Sequence, residues 1–303
     1  MITQQIINLK RDKKAIILAH YYTLPEVQEI ADFVGDSLAL ARQAATTDAE
    51  IILFAGVHFM AETAKILSPQ KKVLIPDMNA GCSLADSCLA EQLEVFLKEY
   101  PNHKVLSYIN CSAKVKTLSD IIVTSGNALK IVEVLPKDEK IVFVPDRNLG
   151  AYINKETGRK MILWNGACHV HDQLTADKVY QLKKEHPNAK VLAHPECKAT
   201  VLALANFIGS TASMLNFSKN DPSSEYIVAT ETGILYEMQK QNPNKKFYVV
   251  NSSETCACND CEYMKLNTLE KIQQALQTEL PEIVLDKELI RKAGLPIQKM
   301  LEY

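Results

Sequence analysis

Apolar runs of five or six residues alternate along this chain with amphipathic stretches of ten to fifteen, the rhythm of strands and crossover helices in parallel sheets. The pattern predicts an α/β protein, and it recurs. Cut near residues 85 and 171, the chain falls into three pieces with one plan: units over 1–84, 85–171 and 172–266. Each is expected to form a three-layer α/β/α domain with a short parallel sheet, the three standing around a pseudo-threefold axis. The remainder, 267–303, holds two amphipathic helical stretches, around LEKIQQALQ and DKELIRKAGL, expected to pack back on the first unit.

Each piece opens with a strand ending in polar residues: AIILAHYY, KVLSYIN and KVLAHPE. A second strand then runs through a small polar turn into a helix, in FVGDSLALARQAA, IIVTSGNALKIVEV and FIGSTASMLNFSK. A third does the same in IILFAGVHFMAETAKIL, IVFVPDRNLGAYINK and YIVATETGILYEMQK. The closing strands, VLIPDMNAGCS, MILWNGACHV and FYVVNSSETCACNDC, all lead to cysteine. Spacings agree: His20 and Tyr108 are 88 apart, Tyr108 and His194 86; Ser37 and Ser125 are 88 apart, Ser125 and Ser210 85; Cys82 and Cys168 are 86 apart.

Composition narrows the partners. With 34 basic and 36 acidic side chains in 303 residues and no basic run longer than three, nothing resembles a nucleic-acid or membrane-surface footprint, so a small molecule is the expected partner. The longest apolar runs, such as Ile51 to Val57, are far short of the ~20 residues of a spanning helix. The basic residues of the amphipathic N-terminus, Lys10, Arg11, Lys13 and Lys14, stand at its far end, the wrong order for a signal peptide, and a cytoplasmic location is expected. Eight cysteines are too dilute for a disulfide scaffold and read as buried thiols or ligands.

Ligands of open parallel sheets bind beyond the carboxyl ends of strands. Three such ends facing one cavity would bring together Cys82, Cys168 and one of Cys256, Cys258 or Cys261. Single cysteines are as readily small buried residues, but three in register suit a metal site with one open position, and three thiolates from three loops suit a four-iron cluster with a Lewis-acidic iron. The turns at Ser37, at Ser125 with Gly126, and at Ser210 with Thr211 can each cap a helix and together suit a phosphate or dicarboxylate. At the ends of the opening strands stand His20, Tyr21 and Tyr22, then Tyr108 and Asn110, then His194 and Glu196, residue types that carry protons. His103, His186, Cys88 and Cys111 break the pattern and are expected to have no role. Two other readings fit these residues: a four-iron hydro-lyase for another small hydroxy acid, and a zinc-stabilised ligand-binding module with Cys256, Cys258 and Cys261 as a local clip.

Across nearly the whole chain, AHYY, GDS at 35–37, HFMAETAKIL, PDMNAGCSLAD, WNGACHVH, HPEC, GST at 209–211 and CNDCEYMKLN resemble the quinolinate synthase family. The resemblance implies three α/β domains about a pseudo-threefold axis and a [4Fe-4S] cluster held by Cys82, Cys168 and Cys261. It implies condensation of iminoaspartate with dihydroxyacetone phosphate to quinolinate, releasing phosphate and two waters, in NAD biosynthesis. An L-aspartate-oxidising enzyme would be a supplier, and neither nucleic acid nor membrane a partner. Carried over, the substrate contacts are His20, Ser37, Tyr108, Ile109, Asn110, Ser125, His194, Pro195, Glu196, Ser210 and Thr211, with Tyr22, Glu196 and His20 catalytic. Two details depart from regularity. Strict repeat spacing favours Cys256, 88 residues from Cys168, over Cys261 at 93, and Glu262 stands where the family commonly has proline.

Overall fold

The computed structural model of the chain describes residues 1–251 and 259–303. Its first sheet joins β1 (Ala15–His20), β2 (Phe33–Gly35), β3 (Ile51–Ala55) and β4 (Lys72–Leu74). The second joins β5 (Lys104–Tyr108), β6 (Ile121–Val123), β7 (Ile141–Val144) and β8 (Ile162–Leu163). The third joins β9 (Lys190–Ala193), β10 (Phe207–Ile208), β11 (Glu225–Ala229) and β12 (Lys246–Val249). All pairings are parallel, and all three sheets share one order, β2-β1-β3-β4 and its equivalents. The first and third strands of each unit are therefore central. They are also the most continuously apolar, as a sheet covered on both faces requires; β3 and β7 are buried throughout.

The alternation of side chains decides which residues face inward. Leu18 joins a core cluster common to the three sheets, whereas its neighbours Ile17 and Ala19 join an outer cluster with Ile6, Ile272 and Leu276. Leu106 and Leu192 repeat this, with Val105 and with Val191 and Ala193 on their own outer clusters. Each buried leucine contributes roughly 1.5–3 kcal/mol. Two residues beyond Leu18, Leu106 and Leu192, at the same parity, stand His20, Tyr108 and His194. The strand period thus aims the three polar ends at the common interior.

The C-terminal stretch forms two helices. Leu269–Thr278 packs on the N-terminal helix Ile2–Asp12 and on β3, while Lys287–Leu301 lies on β6 and the turn Ala113–Lys116 of the second unit as well as on His58–Leu67 of the first. No helix among the described residues is long and apolar enough to cross a membrane.

Candidate active site

A one-turn helix follows each closing strand in sequence: Ser83–Asp86 after β4, His169–Asp172 after β8 and Glu262–Lys265 after β12. The N-cap residue is a cysteine each time, Cys82, Cys168 and Cys261. That position ordinarily takes Ser, Thr, Asp or Asn, whose oxygen closes a hydrogen bond to the first turn. None of the three sulfurs closes a capping hydrogen bond of ordinary geometry. Burial pushes the Cys82 thiol up to about 12, Cys261 up to about 11 and Cys168 well above the ordinary range. Amides of the first turns act against burial and favour the thiolate: Ala85 and Leu84 for Cys82, His171 for Cys168, Met264 and Tyr263 for Cys261.

All three cysteines line one cavity, together with His20, Tyr22, Ser37, Tyr108, Asn110, Ser125, His194, Glu196 and Thr211. Three other cysteines, Cys88, Cys111 and Cys197, are buried in the units. Cys256 and Cys258 lie outside the described residues. Ile109, Pro195 and Ser210 are buried behind the cavity wall rather than on it. Sulfur donors from three loops around one hollow fit the thiolate set of a [4Fe-4S] cluster. A buried Asn110 Oδ1 with no hydrogen-bond partner among the described residues leaves a further acceptor at the cavity for a bound donor.

Glu196, 2% exposed, is the electrostatic centre. Tyr108 donates its hydroxyl to Oε1 at 2.5 Å, and His171 Nδ1 lies 2.8 Å from Oε2, within ion-pair range but off a hydrogen-bond line. Burial pushes the Glu196 carboxyl up, but His171, His194 and the Tyr108 hydroxyl together outweigh it and hold the group at about 2. The same burial drives His20 and His194 down to about 3, so both imidazoles are neutral near neutral pH, and lifts the phenols of Tyr22 and Tyr108 well above their usual value. Tyr22 shares its hydroxyl with Thr211 Oγ1 at 2.9 Å and Thr230 Oγ1 at 2.8 Å, and Thr230 Oγ1 lies 2.8 Å from His171 Nε2. A line of polar contacts therefore runs from Tyr22 through Thr230 and His171 to Glu196 and Tyr108. Its members come from all three units.

The helix starts differ from the sequence reading. Ser37 is the first residue of its helix, and the cap is Asp36, accepting from Ala39 N at 3.1 Å. In the second unit Asn127 occupies the N-cap position, its Oδ1 accepting from Thr124 N at 2.8 Å. Only Ser210 caps, accepting from Ser213 N at 3.3 Å. The Ser37 and Ser125 side chains are thereby left to the cavity, where Ser125 Oγ lies 3.2 Å from His194 Nε2.

Four further residues stand at or next to the cavity: His171 and Glu231 line it, and Thr230 and Asp146 are buried beside lining residues. His171, inside WNGACHVH, carries no signal of its own in the sequence. Thr230 and Glu231 follow β11 directly, so the ends of third strands carry the same signal as the ends of β1, β5 and β9. Asp146, just past β7, has a counterpart role to Glu231. Asp146 Oδ2 accepts from Cys168 N at 3.2 Å, and Glu231 Oε1 accepts from Cys261 N at 3.0 Å. Cys168, His171 and Glu196 also bring their ligating atoms within 4.8 Å of one another, a mixed donor set compatible with metal binding.

The family model described as quinolinate synthetase A protein matches residues 4–302. Curated quinolinate synthases from Rippkaea orientalis, Nostoc sp. and Thermosynechococcus vestitus are 57%, 55% and 54% identical, each over 97% of this chain and over 90%, 91% and 93% of their own lengths. Matched along almost its entire length by that family model and at this identity to curated members, the chain belongs to the quinolinate synthase family.

Proposed function

We propose that this enzyme condenses iminoaspartate with dihydroxyacetone phosphate to quinolinate, releasing phosphate and two waters. The carbon, nitrogen and oxygen atoms balance without an external oxidant, so the catalyst's work is proton transfer and elimination. Cys82, Cys168 and Cys261 would hold a [4Fe-4S] cluster, which when bound supplies a Lewis-acidic iron for the dehydrations. The observation that carries the reading is that three cysteines, one at a helix start in each unit, line the same cavity as His20, Tyr22, Tyr108, His171, His194 and Glu196.

The protein's own residues divide the remaining work. Neutral His20, whose Nδ1 accepts from Tyr22 N at 3.1 Å, has no partner for its other ring nitrogen among the described residues, and that nitrogen would donate to a substrate oxygen. Ser37, Ser125 and Thr211 offer hydroxyls to phosphate and carboxylate oxygens, and Asn110 a further polar contact. Tyr22 holds a proton at its hydroxyl, with Thr211 and Thr230 as hydroxyl partners, and would pass it during isomerisation of the triose or its adduct. Glu196, anionic and hydrogen-bonded, would accept protons in the later eliminations, with His171 and Thr230 connecting it to Tyr22. Iminoaspartate hydrolyses readily, so an L-aspartate-oxidising enzyme in the same cytoplasm would be its source.

The test is product analysis with anaerobically purified protein. Quinolinate formed from the two substrates, with a brown iron–sulfur absorbance that shifts on adding triose phosphate, is the expected outcome. A colourless zinc protein, or a different product, would end this reading.

A further inference from the structure

Glu231 is fully buried beside the end of β11, and both of its oxygens are engaged. Oε1 accepts from Cys261 N at 3.0 Å and Oε2 from Gly233 N at 2.6 Å. Lys265, on the one-turn helix that Cys261 starts, places Nζ 2.8 Å from Glu231 Oε1 and donates to Tyr22 O, also at 2.8 Å. One ammonium thus ties the Cys261 helix of the third unit to the Tyr22 loop of the first. The backbones meet here too. A Cβ on Gly233 would stand 2.7 Å from Tyr22 Cα, and Gln28 Nε2 reaches Gly233 O at 3.1 Å as well as Tyr21 O and Thr23 O, each at 2.9 Å.

Buried ion pairs add little net stability compared with apolar packing, but they impose geometry. Here the geometry imposed joins a thiol at the cavity to the loop that carries a phenol at the cavity. The outer partners of metal ligands commonly act in this way, orienting the ligand through its own hydrogen bonds.

We propose that Glu231 and Lys265 form a positioning pair that fixes Cys261 and Tyr22 relative to one another, so that the cysteine-bearing helix and the tyrosine loop open and close as one body. The role assigned to the pair rests on the reading of Cys261 as a ligand and Tyr22 as a proton carrier; the mechanical coupling can be measured with or without iron.

The experiment is amide hydrogen exchange on peptides containing Tyr22 and Cys261, in wild type, Lys265→Met, Glu231→Gln, the double variant and Lys265→Arg. Loss of either partner should speed exchange in both peptides together, by about tenfold, with the double variant no faster than the faster single one. Lys265→Arg should restore protection. In the iron-loaded protein, Lys265→Met should also release iron to a chelator about tenfold faster, the lower end for loss of a ligand's outer partner. Faster exchange in only one peptide, in neither, or no rescue by arginine overturns the pairing. Wild type that takes up no iron would instead defeat the ligand assignment, while the exchange data would still judge the pair. Glu231→Gln retains size and polarity, so the coupling can be tested in a second background if Lys265→Met folds poorly.

Discussion

The Tyr108 hydroxyl donates to Glu196 Oε1 at 2.5 Å, and both side chains are buried at the ends of strands from different units. The contact makes the carboxylate an acceptor held from one side, while His171 Nδ1 lies 2.8 Å from its other oxygen. Glu196→Gln should leave the fold intact but lower turnover by about a hundredfold or more, the usual scale for losing a general acid–base group. Thermal melting and quinolinate production check this together; unchanged turnover would remove Glu196 from the proton chemistry.

Tyr22→Phe deletes one oxygen that contacts both Thr211 and Thr230. Thr230 keeps its contact with His171 Nε2 and Thr211 lines the cavity, so the variant should fold, retain its visible absorbance and be nearly inactive. Full activity would refute the shuttle role.

The sulfur assignment makes a sharp contrast. Cys82→Ser, Cys168→Ser and Cys261→Ser should each abolish the cluster's visible absorbance, and chelation of wild type should do the same. Cys88→Ser, at a thiol buried in the second unit, and Cys256→Ser should both keep it. Retention in Cys261→Ser with loss in Cys256→Ser would transfer the ligand role to Cys256.

Gly233→Ala tests the packing beneath Tyr22. The added methyl would meet Tyr22 Cα at 2.7 Å and Tyr21 O at 2.8 Å, both backbone atoms that cannot rotate away. Overpacking of this kind costs about 1–3 kcal/mol. Turnover measured well below the melting temperature should also fall, because the displaced segment carries Tyr22; wild-type turnover at lowered stability would show that the loop tolerates the shift.

A pH dependence is expected far from the cavity. Glu279, after the helix Leu269–Thr278, pairs with Lys13 at 2.7 Å and with Lys72, and hydrogen bonds from these two lysines hold its carboxyl at about 2 against an ordinary 4.5. Because the folded value is the lower one, the contribution is present above about pH 4.5 and fades as pH falls toward 2. The difference in urea midpoint between wild type and Glu279→Gln should therefore be largest at neutral pH and vanish near pH 2. A gap of constant size would rule out the charge as its cause.

Much of the fold was legible because buried parallel strands write themselves as apolar runs. Every apolar string assigned as a strand corresponds to one of β1–β12, and alternation from Leu18, Leu106 and Leu192 aimed the right strand ends inward. The helix starts were harder, since Asp36 and Ser37 are adjacent and equally good caps by type. Only three-dimensional geometry separates them, and it gives the cap to Asp36. His171 escaped for a related reason. It lies on a one-turn helix, too short for any periodic signal, and its importance comes from Thr230 and Glu196, distant in sequence. Cross-unit contacts of this kind leave no mark in a single string of residues.

On the proposed ligand assignment, the placement of one thiol per unit also governs how the enzyme matures. The sulfurs are separated by 86 and 93 residues, and each sits on the last strand-to-helix junction of its unit. A growing polypeptide offers at most two of them until residue 261 has left the ribosome. On that assignment the three-sulfur site can be complete only once Cys261 has emerged, and a chain terminated short of it would lack one of the three sulfurs.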